Sequence, residues 1–397
     1  VIEIDQPDGT AIQLECLSHK NDSFIILEFQ RSEQPVPPLW EDELLRRGII
    51  SKLIKPDTLL DLADASAQSI RDLTGFDRVM IYRFAEDKHG EVIAESTNRP
   101  DSFLGLHYPA SDIPDPARRH FTLNVVRSIP DIRAPHVPIE NRSGEVVDAD
   151  CARPLDLTYA KLRAVAPVHV EYLTNMGVGA SLSISLIIND ELWGLVACHH
   201  YGPRLVSASR LRLAELLGNT TSALLQSIEN TVQLRKSMDA EKVALHIEKS
   251  ARSGVSLQRL VEIYAAELMQ LSGAQGLLLM LDGQRFDVGT VPDKLPDFRG
   301  LRMRLVDGVA TTSQLSGVIE MDDAQKAMVA GAALLDLSDN GGDYLVFLRE
   351  NFDQTIRWAG KPDKIETKTE DGITRLSPRG SFALWSEERR GKSRPFD

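Results

Sequence analysis

Apolar positions follow two periods along this chain. Spacing by threes and fours predicts helices in "DTLLDLADASAQSIRDLTG", which closes at Gly75, and in "LQRLVEIYAAELMQLSG", which closes at Gly273. A longer helical pattern runs from about residue 205 to 250 and becomes polar and charged in its second half. This pattern is typical of a helix that packs on a core, and equally of a rod that links two domains and pairs in a dimer.

Shorter apolar runs and alternations predict strands. "RVMIYRF" follows the first helix, and "ASLSISLII" and "LWGLVACHH" flank Asn189-Asp190, a favourable hairpin turn. Residues 1–33 contain short strands with tight turns, too few to bury a core of their own. We therefore expect them to complete a domain whose first part precedes Val1 in a longer protein. The proline-rich "QPVPPLW" predicts a linker over 34–54.

The order helix, glycine, strand occurs twice, which indicates a weak internal repeat. The simplest architecture is two similar α+β modules joined by the long helix. The predicted fold class is therefore α+β, with several domains whose antiparallel sheets are flanked by helices. Near the end, "KIETKTEDGITRLSPRGSFALW" predicts a long, exposed hairpin around Asp371-Gly372. Such an element has little core of its own, so its local stability is low and it can rearrange.

Composition narrows the class of protein. An apolar content of 42% and a charged content of 26% are ordinary for a soluble globular chain of 397 residues. The net charge of −13 argues against a broad nucleic-acid or anionic-membrane surface. No apolar run is long enough to span a bilayer. Cys16, Cys151 and Cys198 form no CxxC pair, which fits a reducing, cytoplasmic compartment. We expect neither nucleic-acid nor membrane partners.

Motifs for common catalytic chemistry are missing from the sequence. Cys198-His199-His200 suggests a metal site, but neighbouring strand residues point to opposite faces, so we expect no metal. Gly177 and Gly179 do not follow a strand and open a helix, as a dinucleotide site requires. The sequence has no P-loop and no serine nucleophile elbow. We expect no catalytic residue in this chain.

Several polar side chains instead interrupt apolar segments. His169 and Tyr172 are three residues apart in a helical stretch and so share a face. The other members of the set are Arg127, Arg163, Ser181, Ser183 and Ser185. Each alone fits a satisfied core group or a solvated arginine. Together they fit a pocket for a flat, apolar ligand with carboxylates, because arginine forks match carboxylates and serine hydroxyls add donors.

The stretch "LGLHYPASDIPDPARRH" places Asp112 between two prolines. Pro109 and Pro114 fix their own φ and disfavour helix in the residue before them, so they hold Asp112 in a stiff bend. Such a bend presents either the carboxylate or the carbonyl of Asp112 to a partner. The basic pair behind it, Arg118-Arg119, is interpreted as a solvated helix face.

Long motifs in the same order resemble the bacterial phytochromes, red/far-red photoreceptors that hold biliverdin, a linear tetrapyrrole, in a GAF domain. They are "RVMIYRF", "GEVIAES", "LGLHYPASDIPDPAR", "VHVEYLTNMGVGASLSISLI", "LWGLVACHH", "RWAGKP" and "SPRGSFALW". The resemblance covers nearly the whole chain. It implies the end of a PAS domain over 1–33, a GAF domain over 55–235 and a PHY domain over 236–397. The PHY domain would carry a tongue hairpin over about 357–395.

The resemblance also implies roles for individual residues. Asp112 would accept the pyrrole N–H groups of the chromophore at its carbonyl, and its carboxylate would meet Arg379 or the N–H of ring D. His169 would lie over the pyrroles and help to keep them protonated, and Arg127 and Arg163 would bind the propionates. The remaining implied contacts are Ser181 and Ser183 at the propionates, Tyr82, Tyr108, Tyr172 and His199 around ring D, Ile113 beside Asp112, and Ser381 in the tongue.

Some positions depart from the family pattern. The biliverdin-attaching cysteine of bacterial phytochromes is expected before Val1, and Val168 stands where plant and cyanobacterial relatives have theirs. Phe121 replaces a common tyrosine and Ala166 a common serine, so propionate anchoring should depend more on the two arginines. The PHY region is short, and its closing helix and any output domain are not expected within these residues.

The implied function is photoreception. Light would isomerise the chromophore, break or form the Asp112–Arg379 contact and refold the tongue between hairpin and helix. The long helix would carry the signal to an output module, most often a histidine kinase that addresses a response regulator, in a homodimer. Two alternatives come from other classes. A cyclic-nucleotide-binding GAF regulator would share the fold, and a metal-dependent enzyme would use Cys198, His199 and His200.

Overall fold

The computed structural model describes the chain in two compact units. It covers residues 2–6, 9–21, 24–32, 39–146, 155–294, 296–338, 342–352, 354–361, 365–368, 374–377, 381–389 and 391–396. The first unit comprises Val1–Glu229 and Arg357–Trp385, and the second comprises Asn230–Ile356 and Ser386–Asp397.

The described elements alternate between helices and short strands. The helices are α1 (Leu39–Leu53), α2 (Leu59–Thr74), α3 (Asp115–Leu123), α4 (Pro167–Asn175), α5 (Ala208–Arg252), α6 (Leu257–Ser272), α7 (Arg299–Arg302) and α8 (Asp323–Met328). The strands before α5 are β1 (Ile2–Asp5), β2 (Ala11–Asn21), β3 (Phe24–Arg31), β4 (Arg78–Phe84), β5 (Gly90–Thr97), β6 (Leu106–Tyr108), β7 (Val126–Ile129), β8 (Ala180–Ile188) and β9 (Glu191–His200). The strands after it are β10 (Gly276–Leu281), β11 (Gln284–Gly289), β12 (Val309–Thr312), β13 (Gly331–Asp336), β14 (Tyr344–Arg349), β15 (Gln354–Ala359), β16 (Ile365–Lys368), β17 (Thr374–Ser377) and β18 (Leu384–Arg389).

These strands form sheets of the predicted α+β class. The orders are β1-β2-β3, β11-β10-β14-β13-β12, β18-β15-β6-β5-β4-β9-β8-β7 and β16-β17. One pairing differs from the antiparallel expectation, because β15 joins β6 in parallel, with Arg357 opposite Leu106 and Trp358 opposite His107. A strand from far along the chain has here extended the sheet at β6. The multidomain α+β prediction is otherwise confirmed.

Helix α2 shows why the first core forms. Thr58 caps its start by accepting a hydrogen bond from the N–H of Asp61, and Gly75 ends it in the left-handed region at φ 66°. Its apolar stripe, with Leu62 and Ile70, is buried against one face of the large sheet. The same core contains Ile49 and Leu53 of α1. Most of the segment predicted as a linker over 34–54 is therefore helical and packs on the core at its end.

The β8–β9 hairpin forms as its sequence predicts. Asn189 and Asp190 both have positive φ, 52° and 63°, as a tight two-residue hairpin turn requires. Alternation along β8 sends Leu182, Ile184 and Leu186 into the helix-covered core. The serines between them therefore face the other side of the sheet.

The long helix α5 spans 45 residues. Its first part buries Leu213, Leu217 and Leu225 in the core of the first unit. Residues 230–242 are exposed. Their exposure agrees with the polar second half of the predicted helical pattern. Among the described residues, no helix combines the length and the apolarity needed to cross a membrane.

The second unit repeats the order helix, glycine, strand. Helix α6 starts at the Ser256 cap, ends at Gly273 with φ 61°, and leads into β10. One face of the five-stranded sheet packs on α6 through Val261 and Ala265. The predicted terminal hairpin is represented by β16 and β17, which pair antiparallel. Its predicted turn, Asp371-Gly372, lies outside the described residues.

Candidate functional site

One face of the eight-stranded sheet collects the predicted site residues that lie on strands. Val79 and Ile81 of β4 and Cys198 of β9 belong to the helix-covered core, so Tyr82, the residue after Ile81, and His199, the residue after Cys198, face the opposite side. The residues on this second face are Tyr82, Arg127, Ser181, Ser183 and His199. Strand register brings them side by side, since Arg127 is opposite Ser183 and Ser181 is opposite His199.

Aromatic and apolar side chains form the floor of this face. The rings of Tyr82 and Tyr108 lie 5.7 Å apart, and Tyr82 meets Phe84 edge to face at 5.1 Å. The same cluster includes Ile113 and, on neighbouring strands, Met80, Val92 and Leu195. Gly90 makes room for the Tyr82 ring, because a Cβ there would lie 1.7 Å from a ring atom. This surface suits a flat, apolar ligand.

The segment that carries Asp112 closes one side of the face. Ala110–Asp112 form a single 3-10 turn after Pro109, and the N–H of Asp112 bonds to the Pro109 carbonyl at 3.0 Å. The hydroxyl of Tyr172 on α4 donates to Asp112 Oδ2 at 3.2 Å. The Tyr172 ring stacks on His169, three residues earlier, at 6.2 Å and 8°. Tyr172 therefore contacts both Asp112 and His169.

The two predicted arginines differ in their bonding. Arg163 Nη1 donates to the carbonyls of Thr158 and Ala160 at 2.9 and 2.8 Å, so it is folded onto its own loop. Glu28 holds the same loop by accepting from the N–H groups of Lys161 and Leu162. Arg127 has no acceptor or carboxylate among the described residues. Burial lowers the pKa of Arg127, and the charge of Arg163 lowers it further.

Burial keeps two histidines of the site neutral, His169 on α4 and His199 on β9. Burial lowers the pKa of His169 to about 4, with a smaller contribution from the charge of Arg127. Burial likewise lowers the pKa of His199 to about 3, and the charges of Arg78 and His169 add to the shift. His199 Nδ1 is buried and has no hydrogen-bond partner within the described part of the chain. The second face of the sheet thus carries a buried polar atom without a described partner, on His199, and a half-buried cation without a described acidic partner, Arg127.

The serines divide into used and available hydroxyls. Ser185 Oγ donates to the Phe121 carbonyl at 2.6 Å and so supports the fold. Ser181 and Ser183 make no side-chain hydrogen bond with the residues that the structure describes, and they line the face beside Arg127. Ala166 occupies the N-cap position of α4, where no side chain caps the helix.

The interpretation of Arg118-Arg119 as a solvated pair is wrong for Arg118. Its Nε donates to the Ile113 carbonyl at 2.9 Å, and its Nη2 donates to the Lys88 carbonyl at 2.6 Å. The guanidinium carbon lies 3.9 Å from the centroid of the Phe84 ring. Arg119 is exposed. The two neighbours differ because successive helical positions are about 100° apart, and only Arg118 faces the loop.

Cys198 and His200 lie apart from the face described above. Cys198 is fully buried in the helix-covered core, and burial raises the pKa of its thiol. His200 Nδ1 is 2.9 Å from Asp77 Oδ2. Over the described residues, no group of three or more potential metal ligands comes together.

Sequence comparisons point to one family. The GAF domain model matches residues 58–225, and the model described as phytochrome region matches residues 240–397. Cyanobacterial phytochrome A of Nostoc sp. is 34% identical over 391 residues, covering 96% of this chain and 50% of that protein. A bacteriophytochrome of Pseudomonas aeruginosa is 30% identical over 393 residues, covering 96% of this chain and 52% of that protein.

Solved structures agree with the sequence matches. A bacteriophytochrome from R. palustris matches with a TM-score of 0.81 at 30% identity, covering 99% of this chain and 78% of that one. The photosensory core module of the Stigmatella aurantiaca phytochrome matches at 0.79 and 33% identity, covering 98% and 78%. The chain belongs to the phytochrome family of light receptors. It spans about half the length of the curated relatives it matches.

The structure of this phytochrome brings together most of the residues predicted from its sequence. Tyr108 and Ile113 join the apolar floor, and Asp112, His169 and Tyr172 are in contact. Ser381 is exposed, and its hydroxyl accepts from the N–H of Ala383. Arg379 lies outside the described residues, so its predicted contact with Asp112 stays a prediction.

Three residues near the phytochrome site were not predicted from the sequence to take part in it. Phe382 meets Tyr172 edge to face at 5.2 Å. Arg78, opposite His199 across two strands, is fully buried and contacts Glu95 at 3.0 Å and Asp101 at 2.7 Å. Arg118 is the third. The sequence did offer a sign that Arg78 is buried, because this arginine begins an apolar strand. For Phe382 and Arg118 the sequence offered only the family motifs in which they occur.

Proposed function

We propose that this phytochrome domain binds biliverdin on the second face of the large sheet and uses it to sense red and far-red light. The observation that carries the proposal is Arg127, a half-buried guanidinium with no acidic partner among the described residues. An uncompensated buried charge is costly, so its presence favours an anionic ligand. Biliverdin has two propionates, and a guanidinium binds a carboxylate through paired hydrogen bonds.

The other residues fit the same ligand. The available hydroxyls of Ser181 and Ser183 lie beside Arg127 and can donate to a propionate. The orphaned Nδ1 of His199 offers a hydrogen-bonding position to a polar edge of the chromophore. Tyr82, Tyr108 and Ile113 supply apolar and aromatic contact area. A linear tetrapyrrole therefore matches the charge, the hydrogen-bonding groups and the apolar floor of this face.

Asp112 and His169 would hold the pyrrole nitrogens. The Asp112 carbonyl would accept pyrrole N–H groups, and His169, whose ring stacks on that of Tyr172, would hold the chromophore from a second side. Bound biliverdin supplies the photochemistry, which is isomerisation of the double bond between rings C and D. The chain responds by exchanging hydrogen bonds among Asp112, Tyr172 and His199.

Signalling would pass from this exchange to the tongue. Phe382, which touches Tyr172, offers one route, and the predicted Asp112–Arg379 contact offers a second. The tongue hairpin would refold toward helix and change the strain on α5. In the whole protein, we propose a cytoplasmic homodimer paired through its helices, with a histidine kinase output that phosphorylates a response regulator.

Absorption spectroscopy tests the proposal directly. The protein is mixed with biliverdin, and spectra are recorded before and after red and far-red light. A new far-red-shifted band that switches reversibly is the expected result. Parallel samples with cyclic nucleotide or Zn²⁺ cover the two alternative functions. Binding of either of these with no switching band in the biliverdin sample would overturn the proposal.

A further inference from the structure

Arg118 joins its own segment of the first unit to a segment that lies 30 residues earlier in the chain. One nitrogen of its guanidinium bonds to the carbonyl of Ile113, directly after Asp112, and another bonds to the carbonyl of Lys88 in the β4–β5 connection. The plane of the group covers the Phe84 ring at 3.9 Å. Phe84 in turn meets Tyr82 on the floor of the site. A single side chain thus connects the Asp112 loop to the sheet.

Arg118 restrains the peptide group between Ile113 and Pro114, which is one peptide group beyond the Asp112 carbonyl. Ile113 has φ −128° and ψ 80°, outside the regular helical and strand regions, so the local hydrogen-bond pattern does not fix it. Its carbonyl is held from one side by Arg118, and the Asp112 carboxylate is held from the other by Tyr172. The Asp112 carbonyl lies between these two anchors, which limit the orientations open to it.

Only arginine meets all of these requirements at once. Its planar fork donates in two directions while its face stacks on an aromatic ring. Lysine retains the charge but offers one compact ammonium group, which cannot reach both carbonyls and stack in the same way. Arg119 is exposed and makes no comparable contact with the residues that the structure describes, so it provides an internal control for charge and helix propensity.

We propose that Arg118 is a positioning residue that sets the direction of the Asp112 carbonyl for the pyrrole nitrogens of the chromophore. This inference rests on the proposed biliverdin function. It predicts that Arg118 affects the uniformity of the chromophore environment more than it affects the capacity to take up biliverdin.

The test compares Arg118→Lys and Arg118→Met with Arg119→Lys and Arg119→Met. Without biliverdin, hydrogen exchange is measured on peptides that cover 106–123. We expect exchange in both Arg118 variants to be roughly tenfold faster around Ile113, as loss of a hydrogen bond from a charged donor implies. The Arg119 variants should exchange like the unchanged protein. The Lys variant guards against a folding defect, because it keeps the charge and much of the stem.

The second measurement uses biliverdin-loaded protein. We expect the main absorption band of the Arg118 variants to broaden and shift, with a reduced switched fraction, while both Arg119 variants match the parent. Faster exchange with an unaltered spectrum would make Arg118 a structural residue only and overturn the inference. Unaltered exchange would overturn it too. If the unchanged protein gives no band, the proposed function itself fails, a result visible before any variant is compared.

Discussion

Tyr172 and Asp112, 60 positions apart in the chain, are joined by a hydrogen bond of 3.2 Å from the phenol to the carboxylate. This bond connects helix α4, which carries His169, to the proline-bounded turn that carries Asp112. Phe382 packs against the same Tyr172 ring. Tyr172 is therefore the point where the two walls of the site meet Phe382, which belongs to the predicted tongue.

Removing the Tyr172 hydroxyl should uncouple these walls. Tyr172→Phe keeps the ring and its packing but removes the hydrogen bond, so we expect the free energy of unfolding to fall by about 1 kcal/mol. Biliverdin uptake should persist, and the amount and lifetime of the photoproduct should change. Flash spectroscopy after red light measures both. Tyr159→Phe, at an exposed position, is the control, and a photocycle equal to that of the control would contradict the role of Tyr172.

Arg127 and Arg163 should respond differently to replacement. Arg127→Met removes a half-buried charge that has no acidic partner among the described residues, so the stability of the ligand-free protein should stay constant or increase. Arg163→Met removes a donor from the Thr158 and Ala160 carbonyls, of which only the Thr158 carbonyl keeps a second donor, Asn124 Nδ2, so it should lower the free energy of unfolding by about 1–3 kcal/mol. Urea denaturation without biliverdin separates the two cases.

Biliverdin titration completes that comparison. Loss of one charge-assisted contact corresponds to about 1.5–3 kcal/mol, so Arg127→Met should weaken binding roughly tenfold or more. Arg119→Met serves as the matched control for loss of one positive charge. Undiminished affinity at limiting biliverdin in the Arg127 variant would contradict the role of Arg127 as the propionate-binding residue, on which the proposed function rests.

Local sequence rules predicted the parts of this fold that local forces determine. The Asn189-Asp190 turn and the alternation along β8 follow from backbone sterics and period-two patterning, so the face that carries Ser183 could be derived. The helix caps at Gly75 and Gly273 follow from the tolerance of glycine for positive φ. The pattern of polar positions predicted only a flat, apolar ligand with carboxylates, and the resemblance to the family motifs led to the proposal of biliverdin.

Contacts between distant segments escaped the same rules. Arg118 bonds to main-chain carbonyls, which every residue type possesses. The side chains of the acceptor residues therefore do not indicate these hydrogen bonds in the sequence. The parallel addition of β15 to β6 joins residues about 250 positions apart, and it depends on an available sheet edge rather than on a pattern. The end of α1 also packs on the core. The prolines before this helix had led to the prediction of a linker.

Ala166 offers a stabilising substitution in the site. It is the N-cap of α4, its ψ of 132° is extended, and no side chain there bonds to the first turn. Ala166→Ser would supply an oxygen for a free N–H of that turn and should raise the free energy of unfolding by about 0.5–2 kcal/mol. Thermal or chemical denaturation measures the gain. Val168→Ser, two positions later and exposed, should give none, and equal gains in both variants would show that capping is not the cause.

The buried histidines predict how the stability of the ligand-free protein depends on pH. In the folded chain the pKa of His169 is about 4 and that of His199 about 3, whereas both are near 6.5 when unfolded. Below pH 6.5 the unfolded chain therefore binds protons that the folded chain does not, and the free energy of unfolding falls as the pH decreases. The loss continues until the pH reaches the folded pKa values.

Between pH 7 and 5, each histidine should contribute about 1–2 kcal/mol to this loss. Urea denaturation at several pH values measures the total for the unchanged protein. In the double variant His169→Gln, His199→Gln the pH dependence should become shallower by the sum of the two contributions, since glutamine does not titrate. His136→Gln, at an exposed position, is the control for the exchange of histidine for glutamine. Parallel curves for the double variant and the parent would mean that these histidines are not held neutral by burial.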